Sequence, residues 1–161
     1  MATLCIQVQE SPFDVAVELE ALLESAPEAG AVASFIGRVR ADGGESAEPM
    51  SQPIGWLELE HYPGMTEKSI QRIADQATKQ FELLAMTVIH RVGRLTPGES
   101  IVLVLAASRH RKAAFDACEF VMDYLKLEAI FWKREQRGDH EVWIGSTDDD
   151  RARARAWKGS G

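Results

Sequence analysis

Cysteine is nearly missing from this chain, and its scarcity excludes a good deal. Cys5 and Cys118 are the two present, too few and too far apart for a disulfide framework or a metal knuckle. The four histidines show no ligand spacing, and Arg109 and Arg111 beside His110 would repel a metal cation. Neither a metal site nor a resident cofactor is expected. Long apolar runs are also missing: nothing approaches the ~18 residues of a membrane span, and Met1 leads directly into a polar-interrupted strand without a signal-peptide pattern. The expectation is a cytoplasmic protein with no membrane partner. Positive charge is short overall. A formal net charge of -7 argues against nucleic acid, whose binding needs an extended basic surface. The motifs G-x-S-x-G, P-loop, H-E-x-x-H and C-x-x-C are absent, which removes support for a hydrolase elbow, an NTPase and a zinc enzyme.

What is there reads as a globular protein. With 45% hydrophobic and 27% charged residues over 161 positions, one domain with a real core is expected over residues 1–157. Lys158-Gly159-Ser160-Gly161 reads as an appended remnant. Residues 3–9 alternate as an edge strand. Ser11 is read as the cap of a helix with Pro12 in its first position, ending before Pro27 and Gly30. Residues 31–40 read as a strand with Ser34, Ile36, Arg38 and Arg40 on one face. Residues 41–53 lack periodicity and are placed as a lid-like loop. A strand over 54–61 and a helix from Met65 to Phe81 follow, the latter burying Met65, Ile70, Ile73, Ala74, Ala77 and Phe81. Residues 83–92 form a strand, and the apolar run 101–107 a central one. A helix capped by Ser108 comes next, with Ala114, Phe115, Cys118, Val121, Met122 and Leu125 as its apolar stripe. Strands near 130–135 and 141–144 meet at a turn over Arg137-Gly138-Asp139. A short charged helix over 148–157 packs Trp157. The fold class is α+β: a two-layer α/β arrangement with a mixed or antiparallel sheet.

The unusual feature is a set of cations in an acidic protein. Arg109, His110 and Arg111 crowd a helix start, where the macrodipole disfavours them unless an anion is present. A solvated turn and a phosphate or carboxylate site are both compatible with this triplet. Arg38 and Arg40 leave one face of a strand and could hold an anion, or could simply be solvated. Lys126 ends the long helix, where it can cap the carbonyls or, pressed against Lys133 and Arg134, lose proton affinity and act as a nucleophile or acid/base. Cys118 lies on the apolar stripe and is read as core packing. Arg111 and Lys126 stand about 15 positions apart, roughly 22 Å along a helix, so one small ligand cannot touch both. Two copies of the chain, the basic turn of one completing the lysine pocket of the other, would reconcile them.

Six segments in order, Phe35–Arg40, Leu59–Lys68, Val88–Gly93, Ser108–Arg111, Met122–Lys126 and Phe131–Glu135, resemble the large, catalytic subunits of molybdopterin synthase, the MoaE family. The resemblance spans nearly the whole chain to Trp157. It implies an α/β hammerhead fold with a small antiparallel β subdomain. It also implies a homodimer that binds two copies of a small ubiquitin-like sulfur carrier, giving a heterotetramer. The implied reaction is a sulfur transfer, from a thiocarboxylate on the carrier's C-terminal Gly-Gly to cyclic pyranopterin monophosphate, forming the dithiolene of molybdopterin. Matched by motif, Lys126 and Lys133 are the implied catalytic residues, and Arg38, Arg40, His110, Arg111, Arg134 and Glu135 the substrate-binding ones. The pattern departs after Trp143, where Ile-Gly-Ser-Thr stands in place of a basic residue. A non-catalytic α/β module binding a phosphorylated metabolite or an acidic partner would need the same arginines but no special lysine.

Overall fold

The computed structural model describes residues 1–42, 52–129 and 131–159. The lid expected within 41–53 falls largely on residues 43–51, and one expected strand start on Ile130, all outside the described residues. The elements run β1 (Thr3–Gln9), α1 (Val15–Ser25), β2 (Ala31–Arg38), β3 (Ile54–His61), α2 (Met65–Phe81), β4 (Ala85–Arg91), β5 (Gly93–Leu95), β6 (Ser100–Ser108), α3 (Arg111–Glu128), β7 (Phe131–Arg137), β8 (His140–Ile144) and α4 (Asp148–Lys158).

Two four-stranded sheets are built from these, in the orders β1-β4-β6-β2 and β5-β3-β7-β8. In the first, β1 runs parallel to β4, while β4 and β2 pair antiparallel with β6. The second is antiparallel throughout. Every residue of β4 is buried, as expected of a strand covered on both faces. On one face Val88, Val104 and Ala106 meet Ile70, Ile73 and Ala77 of α2 and Val121 and Leu125 of α3. On the other, Ile89, Leu103 and Leu105 meet Leu22 of α1. The first sheet therefore carries helices on both sides. Each fully buried Ile or Leu here contributes about 1.5–3 kcal/mol. Val39, Leu59, Val92 and Leu95 form a smaller core that includes residues of both sheets. Gly93, at a φ of 83°, turns the chain from β4 into β5 and so from one sheet to the other, a backbone state that a side chain would strain.

Several local expectations shift. The cap of α1 is Asp14, not Ser11: its carboxylate accepts from the amides of Ala16 and Val17 at 2.9 and 3.3 Å, while Gln9 holds residues 11 and 12 in a turn. Ser108 is not the cap of α3. It ends β6, and His110 occupies the cap position without a side-chain bond. Met65 is 44% exposed and Phe115 66%, so neither belongs to its helix's buried side. The buried stripe of α3 is rotated toward Phe120, Tyr124 and Asp123, because α4 packs there: Trp157 sets its ring edge-on to Phe81 and Phe120 at 5.7 and 5.6 Å. Helix α4 itself runs on through Lys158. Strand β5 was not expected; three residues are too few to show a period.

Candidate functional site

β6 and α3 run in opposite directions, joined through the turn at Arg109-His110, so α3 folds back along the sheet. Its C-terminal turn therefore lies toward the end of the sheet where β2 finishes at Arg38, opposite Ser100. Lys126 is the basic residue of that last turn, the end where a cation is favoured. Its side chain is 39% exposed, and its Nζ lies 3.2 Å from Oδ1 of Asp150, which is only 8% exposed. Asp150 comes from the first turn of α4. There Thr147 and Asp150 form a reciprocal cap, with Thr147 N donating to Asp150 Oδ2 at 2.9 Å and Asp150 N donating to Thr147 Oγ1 at 3.2 Å.

Lys133 arrives from the second sheet, paired across β7 with Leu59 and Ile144. Enclosure by protein pushes its pKa down, and repulsion from Lys126 adds to this; the charges of Asp150 and Glu135 oppose it. The residue whose proton affinity burial lowers is thus Lys133, the second of the two lysines singled out in the sequence. His90 neighbours this group. Fully enclosed, it is pushed down to about 4, first by burial and further by the charge of Lys133, against a hydrogen bond to the Arg91 carbonyl. That contact, 2.8 Å from Nδ1, assigns the ring proton to Nδ1. The ring stacks on Phe131 with centroids 4.1 Å apart.

Alternation along β7 then separates its polar residues. Glu135 shares the face of Lys133 and is buried, with its carboxylate held by Arg137 at 2.8 and 3.1 Å. Arg137 also donates to the carbonyls of Asp42 and Gln52, tying both flanks of the segment expected as a lid. Arg134 points the other way. It pairs with Glu58 and, at 3.1 Å, with Glu141, between the rings of Trp56 and Trp143 at 5.6 and 5.5 Å. The Arg134 pairing holds the Glu58 carboxyl below its usual range, with Arg94 assisting. Arg134 is thus engaged on the face opposite Lys133. A cleft of about 310 Å³, lined by Glu135, Arg137, Trp143 and Ser146 among others, opens between β7, β8 and the approach to α4; neither lysine lines it.

The remaining expected residues divide between the two ends of the first sheet. Arg38 donates to the Gly98 carbonyl through Nε and a terminal nitrogen at 3.1 and 2.6 Å, which ties it to the turn before β6. Arg40, exposed, lies 3.7 Å from Asp42. Both stand at the Lys126 end. His110 and Arg111 stand exposed at the opposite end, and neither makes an ion pair among the described residues. Arg109 pairs with Glu28 at 2.7 Å. Cys118 packs its Sγ 3.6 Å from the Ala33 carbonyl, and burial pushes its thiol up to about 12, which keeps it protonated. Asp150 was missed in the sequence, although Thr147-x-x-Asp150 is a readable capping signature.

A site of this composition can move a proton and offer a fixed cation to an anion. The family model described as MoaE protein matches residues 8–128. A protein of Ralstonia nicotianae named molybdopterin synthase catalytic subunit is 51% identical over 153 residues, covering 93% of this chain and 82% of that protein. Another of that name, from Pseudomonas aeruginosa, is 46% identical over 155 residues, covering 96% and 99%. Among solved structures, the molybdopterin biosynthesis MoaE protein of Burkholderia ambifaria matches with a TM-score of 0.78 at 44% identity, over 98% of this chain and 99% of that one.

Proposed function

This chain belongs to the MoaE protein family, and from that premise we propose how its own residues carry the family's reaction. The chain is a sulfurtransferase, the catalytic subunit of a molybdopterin synthase. Sulfur arrives as the thiocarboxylate of a small ubiquitin-like carrier ending in Gly-Gly, and two such deliveries convert cyclic pyranopterin monophosphate into the dithiolene of molybdopterin. The two free cysteines fit a chain that does not carry the sulfur itself.

The observation that carries this reading is that Lys126, from a helix, and Lys133, from the second sheet, both feel the buried carboxylate of Asp150. Lys133, with its lowered proton affinity, supplies the neutral amine for proton transfer. Lys126, more exposed, meets the carbonyl of the incoming carrier and the negative charge that develops there. Arg40, with Arg38 behind it, receives the substrate's phosphate and pterin at the same end of the sheet. His110 and Arg111 serve that anion across a homodimer interface, since on one chain they lie roughly 22 Å from Lys126. Glu135 shapes the pocket from β7, and Arg134 braces β3, β7 and β8 from behind. The assembly proposed is a homodimer with two carriers, a heterotetramer. The domain proposed comprises residues 1–157, and the proposed compartment is the cytoplasm. Among the described residues no helix is long and apolar enough to cross a membrane, which leaves the compartment to other tests.

Incubation with a thiocarboxylated carrier and the cyclic pterin tests the reading. Dithiolene product is expected, and its absence with both partners verified would sink it. A module that only binds a phosphorylated metabolite would retain ligand and turn nothing over.

A further inference from the structure

Asp150 is buried at a place where a helix-capping aspartate ordinarily faces water. Its two oxygens do different things. Oδ2 closes the cap on Thr147 N at 2.9 Å. Oδ1 is enclosed and faces Lys126 Nζ, 3.2 Å away. A cap needs one acceptor oxygen, so the second is not explained by holding α4 together. The helix has other anchors in any case. Trp157 Nε1 donates to Asp123 at 2.8 Å, and the Tyr124 hydroxyl donates to the Ala154 carbonyl at 3.5 Å. Both anchors fall within one turn of Lys126 on α3, so α4 delivers its carboxylate to the lysine as a rigid unit.

We propose that Asp150 is a positioning residue for the sulfur transfer, holding the Lys126 ammonium in place and making Lys126 the cationic member of the lysine pair. This rests on the reading of Lys126 and Lys133 as the reacting groups. Charge counting supports it. The groups facing the pair are Asp150 from α4, Glu135 from β7 and His90 from β4. Glu135 is already matched by Arg137, and His90 is kept neutral by burial. On α3 itself, Asp123 is committed to Trp157 and Glu128 faces Arg72 at 3.6 Å. Among the described residues Asp150 is therefore the carboxylate near the two amines that no arginine or tryptophan claims, and its single charge can balance one ammonium and not two. Lys133, enclosed and repelled by Lys126, is the one that yields its proton.

The test compares Asp150→Asn, Asp150→Glu and Thr147→Ala in the full-length chain with its carrier. One readout does not depend on turnover: the rate at which an amine-reactive anhydride labels Lys126, followed by peptide mass spectrometry across pH. Asp150→Asn keeps an acceptor for the cap but removes the charge, so Lys126 labelling near neutral pH is expected to rise about tenfold. Its kcat is expected to fall at least about tenfold with a displaced pH profile, and Asp150→Glu to restore part of both. Thr147→Ala weakens the cap while keeping the carboxylate, so it lowers the thermal midpoint and leaves labelling and kcat near wild type. The proposal is overturned if Asp150→Asn leaves the labelling profile unchanged, or if Thr147→Ala reproduces its effects. A labelling shift in an otherwise inactive wild-type protein would support the coupling of Asp150 to Lys126 and count against the synthase reading instead.

Discussion

At the N-terminal end of α3, His110 and Arg111 stand in solvent without an ion pair among the described residues. At its C-terminal end Lys126 lies 3.2 Å from a buried carboxylate and beside the enclosed Lys133. One helix thus carries two basic clusters in opposite circumstances. The first is an open cation site on the wrong end of a helix dipole, uncompensated until an anion arrives. The second is compensated from within, so its charges are already held in geometry. The difference gives the proposed function its division of labour, with the lysine end assigned to react and the basic turn to receive. On that reading, a second copy can supply the basic turn without disturbing the lysine end.

The largest expected effect lies at the lysine end. Lys126→Ala and Lys133→Ala are each expected to lower kcat by about 10²–10⁴-fold, the range of positioned acid/base groups, while the chain stays folded. Single-turnover formation of dithiolene measures this, and near-normal turnover in either variant would erase the distinction between the two ends. Next comes the sharing of the site. Arg111→Ala and Lys126→Ala proteins, mixed in equal amounts and allowed to exchange partners, should recover about a quarter of wild-type activity, the fraction of intact sites that random pairing provides. No recovery at any ratio would place both ends in separate sites of one chain.

A third expectation concerns stability. His90 is pushed from 6.5 down to about 4, so between those values the unfolded chain holds a proton that the folded chain does not. Stability is then full above about pH 6.5 and declines as pH falls toward 4, by about 3 kcal/mol if the whole shift is realised. Denaturant titrations of wild type and His90→Asn across this window read it out; parallel curves would show that the reacting end is not built on a neutral histidine. The smallest effect belongs to the receiving end. Arg109 and Glu28 form an exposed pair, 62% and 67% accessible, and Arg109→Ala should change stability by no more than ~0.5 kcal/mol, seen as an almost unmoved midpoint. A larger loss would mean that the open end is compensated after all.

Much of this molecule follows from residue order. The apolar run 101–107, the stripe of α2 and the pairing of Trp157 with the core were readable because hydrophobic period reports which face must leave water. The family was readable too, through six motifs in order. Tertiary structure decided what those residues face. The split into two sheets, joined at Gly93, depends on which strands find each other. Phe115 was left exposed because α4 packs on the other flank of α3. Arg134 was turned from Lys133 by the alternation of β7 and matched to Glu58 across the ladder. Asp150 reached Lys126 only because Trp157 and Tyr124 fix α4 against α3. Local pattern determines which face of an element is buried, whereas a charge's partner, and with it its proton affinity, is set by contacts between elements far apart in the chain.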